Sequence, residues 1–159
     1  MLSFLGSAAV LAATTFVASP AQAQEAQFAG LFDVMGGIEG GGSGYAKGIR
    51  RTRTTLRFGA EMWLDEYENN QLAIAGLVEI EPVATFGAYS RYQRVIDDFV
   101  LHVGGTSIIA PQHMIGATFG AAYRLGVTDI FDLNFGPNGN VYFVGADLPG
   151  DTVLWQVML

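Results

Sequence analysis

The chain has 159 residues and a formal net charge of −7, and 50% of its residues are hydrophobic. Charged residues make up 14% of the sequence, compared with about 25% in soluble domains, and the acidic balance argues against a general nucleic-acid-binding surface. There is no cysteine, which excludes disulfides, thiolate metal sites and a lipid-modified cysteine.

The first 23 residues have the composition of a secretory signal peptide. An apolar region ending at Ala18 is followed by Pro20 and by the small-x-small triplet Ala21-Gln22-Ala23. This pattern predicts cleavage after Ala23 and a single domain over residues 24–159. No Lys or Arg precedes the apolar region, which departs from the usual pattern, and an N-terminal membrane anchor is the alternative interpretation.

The first predicted strand covers residues 28–38, where side chains alternate in character. It runs into a glycine-rich segment, residues 36–44, which predicts a flexible loop extending to about residue 51. A phosphate-binding loop is rejected because no Gly-Lys-Ser/Thr follows the glycines.

The most regular strand is predicted over residues 52–65. One face carries Leu56, Phe58, Ala60, Met62 and Leu64, and the other carries Thr55, Arg57, Gly59, Glu61, Trp63 and Asp65. This period of two is that of a strand, because a helix would mix the two sets. The segment is longer than the ~5–6 residues of a typical soluble strand and reaches the ~9–11 residues with which a tilted strand crosses a bilayer.

Six further strands are predicted in the rest of the chain. They cover residues 71–81, 84–94, 99–104, 114–125, 130–135 and 152–159. The connections between them are predicted at residues 66–70, at Pro82, at Asp97-Asp98, at residues 105–112, at residues 126–129 and at the turn 136–139. Residues 141–144 either extend the seventh strand or form a small hairpin. The total is about eight strands, and no stretch after residue 23 shows helical periodicity over three turns, so the fold class is all-β.

The predicted connections mostly alternate between long and short, as in transmembrane barrels. The chain resembles the small, about eight-stranded outer-membrane β-barrel proteins of bacteria, and the resemblance covers residues 24–159 as a pattern. Its most specific element is the C-terminus, where Val153, Trp155 and Val157 match the alternating apolar residues of that class and Leu159 replaces the terminal aromatic. The resemblance implies a closed antiparallel up-and-down transmembrane β-barrel in the bacterial outer membrane. It also implies export through a cleaved signal peptide, contact with outer-membrane lipid and lipopolysaccharide, and insertion by the barrel-assembly machinery; no oligomeric state is implied.

The face opposite the large apolar residues favours a membrane barrel over a soluble one. In a soluble barrel that face meets water, but here it carries small residues such as Ala73, Ala75 and Gly120 between a few charges. The charged or titratable residues predicted to face inward are Asp33, Arg57, Glu61, Glu79, Glu81, Arg91, His102, Arg124 and Asp132. Eight strands enclose a space that side chains just fill, so these residues predict a lumen of paired charges without an open pore.

Three arginines, Arg50, Arg51 and Arg53, cluster at the end of the first predicted long loop. Guanidinium groups on an external loop would suit the phosphates of lipopolysaccharide, which is the predicted contact for these residues. A solvated basic loop is the alternative interpretation.

Three functional classes follow from these patterns. The leading hypothesis is a non-enzymatic outer-membrane barrel with an envelope-structural or narrow-transport, porin-like role, without catalytic residues, metal or cofactor. The second is a secreted or periplasmic soluble barrel that binds a small apolar ligand inside. The third is an outer-membrane lipid hydrolase that pairs Ser107 with His102 or His113, although no motif supports this pairing and neither histidine lies in a metal-ligand spacing.

Overall fold

The computed structural model describes residues 14–18, 28–41, 49–65, 69–80, 84–128, 131–145, 148 and 153–159. These residues form ten strands. They are β1 (Thr14–Ala18), β2 (Phe28–Gly41), β3 (Ile49–Trp63), β4 (Asn70–Glu79), β5 (Thr85–Ile96), β6 (Phe99–Ala110), β7 (Met114–Thr128), β8 (Phe131–Phe135), β9 (Asn138–Val144) and β10 (Leu154–Met158). No helix within the described ranges combines the length and apolar character needed to cross a membrane.

The strands form one antiparallel sheet that returns on itself as a ring. Each strand from β2 to β7 pairs with its successor, and β7 pairs with both β8 and β9. β1 joins β8 to β2, and β10 joins β9 to β2. The ring therefore has eight strand positions. Each strand from β2 to β7 occupies one position, β8 and β9 share the seventh, and β1 and β10 share the eighth. The predicted all-β, antiparallel architecture of about eight strands is confirmed at this level.

The ring has two ends, which we name by a residue at each. The chain passes from β3 to β4, from β5 to β6 and from β7 to β8 at the Asp97 end. It passes from β2 to β3, from β4 to β5, from β6 to β7 and from β9 to β10 at the Pro111 end.

Side chains alternate between the two faces of the ring because successive residues of a strand point in opposite directions. On β3, Arg57 and Glu61 are fully buried on the inner face, whereas Phe58 between them is 46% exposed on the outer face. Phe58 stacks there on Phe32 of β2, with 5.9 Å between the ring centroids. The large exposed apolar residues of the outer face include Phe28, Ile74, Phe86, Ile96, Phe99, Val103, Ile115, Phe119, Phe143 and Val157.

The glycine-rich segment is ordered further than predicted. β2 continues through Gly41, and its residues 36–41 pair with β3 on one side or with β10 on the other. At Gly37 the backbone of β10 comes so close that an added Cβ would lie 2.1 Å from the Val157 carbonyl oxygen. These glycines therefore serve a close strand approach, which the composition alone does not distinguish from a loop. Residues 42–48 lie outside the described ranges.

The loop predicted at residues 105–112 is mostly strand. β6 runs through Ala110, and Thr106 pairs with Tyr89 of β5 and with Gly116 of β7. Thr106 and Ile108 are buried on the inner face, which explains why the segment stays in the sheet despite its glycines. The connection between β6 and β7 is only residues 111–113.

The turn predicted at residues 136–139 does not reverse the chain. Phe135 pairs with Tyr123 and Asn138 pairs with Gly120, so β8 and β9 keep one register along β7. Pro137 has no N–H to donate and interrupts the ladder, but its carbonyl accepts a hydrogen bond of 3.1 Å from the Ala121 N–H. Residues 141–144 therefore extend the seventh strand and do not form a separate hairpin.

Part of the predicted signal peptide lies in the sheet. β1 falls within residues 1–23 and pairs with β2 and β8. The remainder of residues 1–23, Glu81, Pro82 and the predicted turn residues 66–68 lie outside the described ranges.

Candidate functional site: the polar interior of the ring

The inner face of the ring is lined by buried polar side chains. Those with at most 6% exposure include Asp33, Glu39, Arg53, Arg57, Glu61, Gln71, Glu79, Arg91, Gln93, Asn134, Asn138, Asn140 and Gln156. They come from β2, β3, β4, β5, β8, β9 and β10, because every second residue of a strand points into the ring. Buried charges of this kind are costly unless they are paired, so their contacts decide what the interior does.

The central cluster consists of two arginines, two carboxylates and one tyrosine. Arg91 Nη2 donates to Glu61 Oε1 at 2.7 Å, and its Nη1 lies 3.5 Å from Asp33 Oδ2. Arg57 Nη1 lies 3.8 Å from the same Asp33 oxygen. The Arg57 guanidinium also lies over the Tyr89 ring, 3.7 Å from its centroid, which is cation–π geometry. Two arginines, two carboxylates and one tyrosine ring therefore lie in contact across β2, β3 and β5, with equal numbers of positive and negative charges.

A second cluster lies toward the Pro111 end. Arg53 Nε donates to Glu39 Oε2 at 2.9 Å, and Arg53 Nη1 lies 3.4 Å from Glu79 Oε2. Gln156 of β10 donates to Glu79 Oε1 at 2.9 Å and to Glu39 Oε2 at 3.3 Å. Thr85 donates to Glu79 Oε2 at 3.4 Å. Both carboxylates thus share one guanidinium and one amide.

Amide side chains connect the two clusters. Asn140 Nδ2 donates to Gln156 Oε1 at 2.9 Å, and Asn140 Oδ1 accepts from Arg57 Nη2 at 3.5 Å and from Asn138 Nδ2 at 3.1 Å. Asn138 Oδ1 in turn lies 2.8 Å from His102 Nε2. The polar network is therefore continuous from β6 across β9 to β10.

The Asp97 end carries a third, smaller group. Arg124 is half-buried, and its Nη2 donates to Gln71 Oε1 at 3.2 Å. Gln71 Oε1 also accepts a hydrogen bond from Gln93 Nε2. Asp132 is half-buried on β8, nearer to the rim of the ring.

The space left inside the central cluster is small. A cavity of about 30 Å³ lies between Asp33, Arg57, Arg91 and His102. Several fully buried polar atoms in the described chain that lie around it have no hydrogen-bond partner, among them Asp33 Oδ1, Arg57 Nε, Arg91 Nε, Gln93 Oε1 and Asn134 Oδ1. A volume of this size holds about one water molecule, and not a hydrated solute.

Apolar side chains pack together on the inner face toward the Pro111 end. Ile108, Met114, Tyr142 and Leu154 are buried together there, and Leu148 packs against them. Tyr142 is fully buried, and its hydroxyl lies 3.4 Å from Thr106 Oγ1.

The charge count of the interior differs from the prediction. Sequence patterns assigned five acids (Asp33, Glu61, Glu79, Glu81, Asp132) and three arginines (Arg57, Arg91, Arg124) to it. Among the described residues the buried acids are Asp33, Glu39, Glu61 and Glu79, four in number, and the buried arginines are Arg53, Arg57 and Arg91, three in number. Half-buried Arg124 and half-buried Asp132 raise the counts to five acids and four arginines, and Glu81 lies outside the described residues.

The predicted loop contact of Arg53 is wrong. Arg53 was grouped with Arg50 and Arg51 as a loop contact to lipopolysaccharide, but its side chain is 2% exposed and paired with Glu39. Residues 49–51 also lie within β3, and their side chains are outside the described set, so the contact of Arg50 and Arg51 with lipopolysaccharide stays a prediction.

The serine and histidine considered for hydrolysis lie apart. Ser107 and His102 point to opposite faces of β6, being an odd number of residues apart. Ser107 Oγ lies 3.4 Å from the Ala88 carbonyl oxygen, and His102 faces Asn138. His113 is exposed in the connection between β6 and β7. Within the described chain, no group of three or more His, Asp or Glu residues is arranged to hold a metal ion.

A concave region lies on the outer face beside β9 and β10. It has a volume of about 560 Å³ and is lined by Phe119, Pro137, Gly139, Trp155 and Val157, together with residues behind them. The Phe119 ring lies so close to Gly139 that a Cβ on Gly139 would be 2.8 Å from it.

Comparison of the chain with protein-family models, with curated proteins and with solved structures finds no match.

Proposed function

We propose that this chain is a non-enzymatic β-barrel of the bacterial outer membrane with an envelope-structural role. The observation that carries the proposal is the inverted distribution of side chains around the ring. Phe58, Ile74 and Phe119 are each more than 45% exposed on the outer face, whereas Arg57, Glu61 and Glu79 are fully buried inside. A soluble protein places these residue types the other way round.

Lipid is the solvent that suits such an outer face. Soluble monomers rarely expose a contiguous apolar patch of more than a few hundred Å², and here exposed apolar residues occur on every strand from β2 to β7. A ring with paired edges also meets the demand of the bilayer that every backbone polar group be satisfied within the protein. Export by residues 1–23 and insertion by the barrel-assembly machinery belong to the same proposal.

Between the structural and the narrow-transport roles, the interior favours the structural one. The central cluster leaves about 30 Å³, and Ile108, Met114, Tyr142 and Leu154 pack together on the inner face toward the Pro111 end. A permeating solute would have to break several charge-assisted hydrogen bonds, which are the strong ones.

The two alternative functions fit the side chains less well. A soluble barrel that binds an apolar ligand needs an apolar lumen, and this inner face carries ion pairs such as Arg91 with Glu61. A hydrolase needs a nucleophile within hydrogen-bond reach of its base, and Ser107 and His102 lie on opposite faces of β6.

Cell fractionation combined with a conductance measurement tests the proposal. We expect the protein in the outer-membrane fraction, extractable only with detergent, with a gel mobility that changes on boiling. In planar bilayers the purified monomer should show no stable conductance of porin size. Recovery of the protein from the periplasm without detergent would contradict the location, and reproducible large channels would contradict the filled interior.

A further inference from the structure

β1 and β10 together fill a single strand position beside β2. The backbone N–H and C=O of Leu159, after β10, pair with those of Gly36 at 2.8 Å, and β1 begins with Thr14 opposite Val34. Both segments run antiparallel to β2, so they point in the same direction, and on β2 only Met35 separates their partners. The position is continuous in space although its two halves come from opposite ends of the chain.

β1 pairs through its backbone with the strands on both of its sides. It has five Cα partners on β2 and four on β8, whereas β2 has thirteen partners on β3. Peptide strands that bind to sheet edges in other proteins gain affinity from the same main-chain hydrogen bonds.

The side chains of β2 beside this position differ between the two faces of the ring. On β2, Leu31 and Asp33 point inward and are buried, while Gly30 and Phe32 are exposed on the outer face. An extended segment in this position therefore lies beside one apolar and one acidic side chain of β2 on the inner face. On the outer face it lies beside Gly30 and Phe32.

Loss of β1 would leave two open edges. Residues 30–34 of β2 and residues 131–134 of β8 would then have unpaired backbone groups, which are a template for pairing with another strand. Cleavage after Ala23 would remove β1 from the chain. A cleaved chain could therefore close the ring only if another strand took the position of β1.

We propose that the strand position between residues 30–34 and 131–134 is a strand-acceptor site. It binds an extended peptide running in the direction of β10, and Thr14–Ala18 is the exchangeable occupant of this site in the full-length chain. The site rests on strand pairing alone and does not depend on the proposed function.

A disulfide lock tests the occupant in the full-length chain, which has no cysteine of its own. Ala18 and Gly30 are opposite each other, and a Cβ built on Gly30 meets no atom of the described residues within 4 Å. Opposite residues of antiparallel strands are about 4.5–5.5 Å apart at Cα, within the disulfide range. The Ala18→Cys/Gly30→Cys variant should therefore form an intramolecular disulfide. In the control, Ala18→Cys/Ala60→Cys, the second cysteine lies one strand further, about 10 Å away, and should not react.

A labelled synthetic peptide of residues 13–19 then tests exchange in detergent solution. We expect saturable binding to the reduced Ala18→Cys/Gly30→Cys chain and at least tenfold weaker binding to its oxidised form, in which β1 is locked. A peptide with alternate N-methylated amides should not bind, because it lacks the N–H donors.

Three results would overturn the proposal. They are a failure of the disulfide to form within one chain, a disulfide that links two chains, and peptide binding that is absent from the reduced form or equal in both forms. A chain that passes these tests but stays out of membranes would keep the acceptor site and refute only the proposed function.

Discussion

Arg57 makes an ion pair, a hydrogen bond and a cation–π contact in the interior of the ring. It faces Asp33 and Asn140 and lies on the ring of Tyr89, with no exposed surface. Removal of one partner from a buried charge pair costs about 3–5 kcal/mol because the other charge stays buried.

We therefore expect Arg57→Ala to lower the free energy of unfolding by about 3–5 kcal/mol, measured by urea titration in lipid vesicles. The control is Arg94→Ala, since Arg94 is exposed and donates one hydrogen bond to Asn70, and it should cost less than ~1 kcal/mol. Equal losses would show that the central cluster contributes no more than a surface contact.

Asp65 organises the connection between β3 and β4 through its carboxylate. Oδ1 accepts from the N–H groups of Asn69 and Asn70 at 2.9 Å and 3.1 Å. Desolvation acts to raise the pKa of Asp65, but these hydrogen bonds and the charge of Arg94 outweigh it and lower the pKa below its ordinary value.

A lowered folded-state pKa means that the contribution of Asp65 is present above its unfolded pKa, about 3.9, and is lost as the pH falls through the folded value. The N–H resonances of Asn69 and Asn70 should therefore shift with a midpoint below the ordinary pKa of an aspartate, about 3.9. The shift should be absent in Asp65→Asn. A midpoint above pH 4 would contradict the assigned hydrogen bonds.

Residue-level prediction succeeded where the strand period was clear. Arg53 has the same parity as Arg57 and Glu61, so the period that placed those two inside could also have placed Arg53 there. The predicted strand over residues 52–65 includes Arg53, but its grouping with Arg50 and Arg51 favours a loop contact, and that interpretation is wrong for Arg53. The partners of each charge could not be predicted, since pairs such as Arg91 with Asp33 depend on which strands face each other across the ring.

At the scale of elements, substitutions on β3 and β5 test which face of the ring meets lipid. Phe58 lies near the middle of β3, and Ile96 lies at the end of β5, with outer-face exposures of 46% and 48%. A charge on the lipid side costs about 2–4 kcal/mol at the midplane and about 0–1 kcal/mol near the interface.

Phe58→Arg should therefore lose about 2–4 kcal/mol of stability in vesicles, and Ile96→Arg should lose at most about 1 kcal/mol. Urea unfolding of both variants in the same lipid gives the comparison. Equal effects at the two depths would indicate that no depth gradient exists along the strand.

Gly120 of β7 has the function of a spacer between strands. A Cβ at this position would lie 2.5 Å from His102 Cε1 and 2.5 Å from the Pro137 carbonyl oxygen, which is backbone and cannot rotate away. Gly76 on the outer face is the matched control, because its nearest atom would be the Phe58 carbonyl oxygen at 3.9 Å.

We expect Gly120→Ala to destabilise the fold by about 1–3 kcal/mol through overpacking. Gly76→Ala should be neutral, or stabilising by about 0.4–1 kcal/mol through the unfolded chain. Thermal or urea unfolding of the two variants distinguishes them. A neutral Gly120→Ala would contradict the close approach of β6, β7 and β9.

Strand existence was predictable, but strand ends near Gly and Pro were not. Composition treats glycine as a loop former, whereas residues 36–41 remain in the sheet because they have backbone partners on neighbouring strands. Pro137 likewise interrupts one ladder without a turn, since the register with β7 is preserved on both sides of it. These outcomes depend on neighbours distant in sequence, which local pattern does not contain.

At the scale of the whole molecule, the ring combines an apolar outside with an inside of paired charges. Among the described residues, four buried carboxylates face three buried arginines, and Arg124 and Asp132 are half-buried. The polar network ties β2, β3, β4, β5, β9 and β10 together, so it stabilises closure as well as filling the lumen. The number of strand positions followed from the sequence, whereas the sharing of one position by β1 and β10 required the three-dimensional pairing.

The two tryptophans report directly on the two faces of the ring. Trp63 is 7% exposed on the inner face, and Trp155 lines the concave region of the outer face beside Val157. Single-tryptophan variants, Trp155→Phe and Trp63→Phe, separate their fluorescence in vesicles that contain lipid brominated along the acyl chain. If the ring is inserted with its apolar face in lipid, bromine should strongly quench the emission of Trp155 and leave that of Trp63 nearly unchanged. Emission of Trp155 that is insensitive to brominated lipid, or equal quenching of both tryptophans, would contradict the central claim.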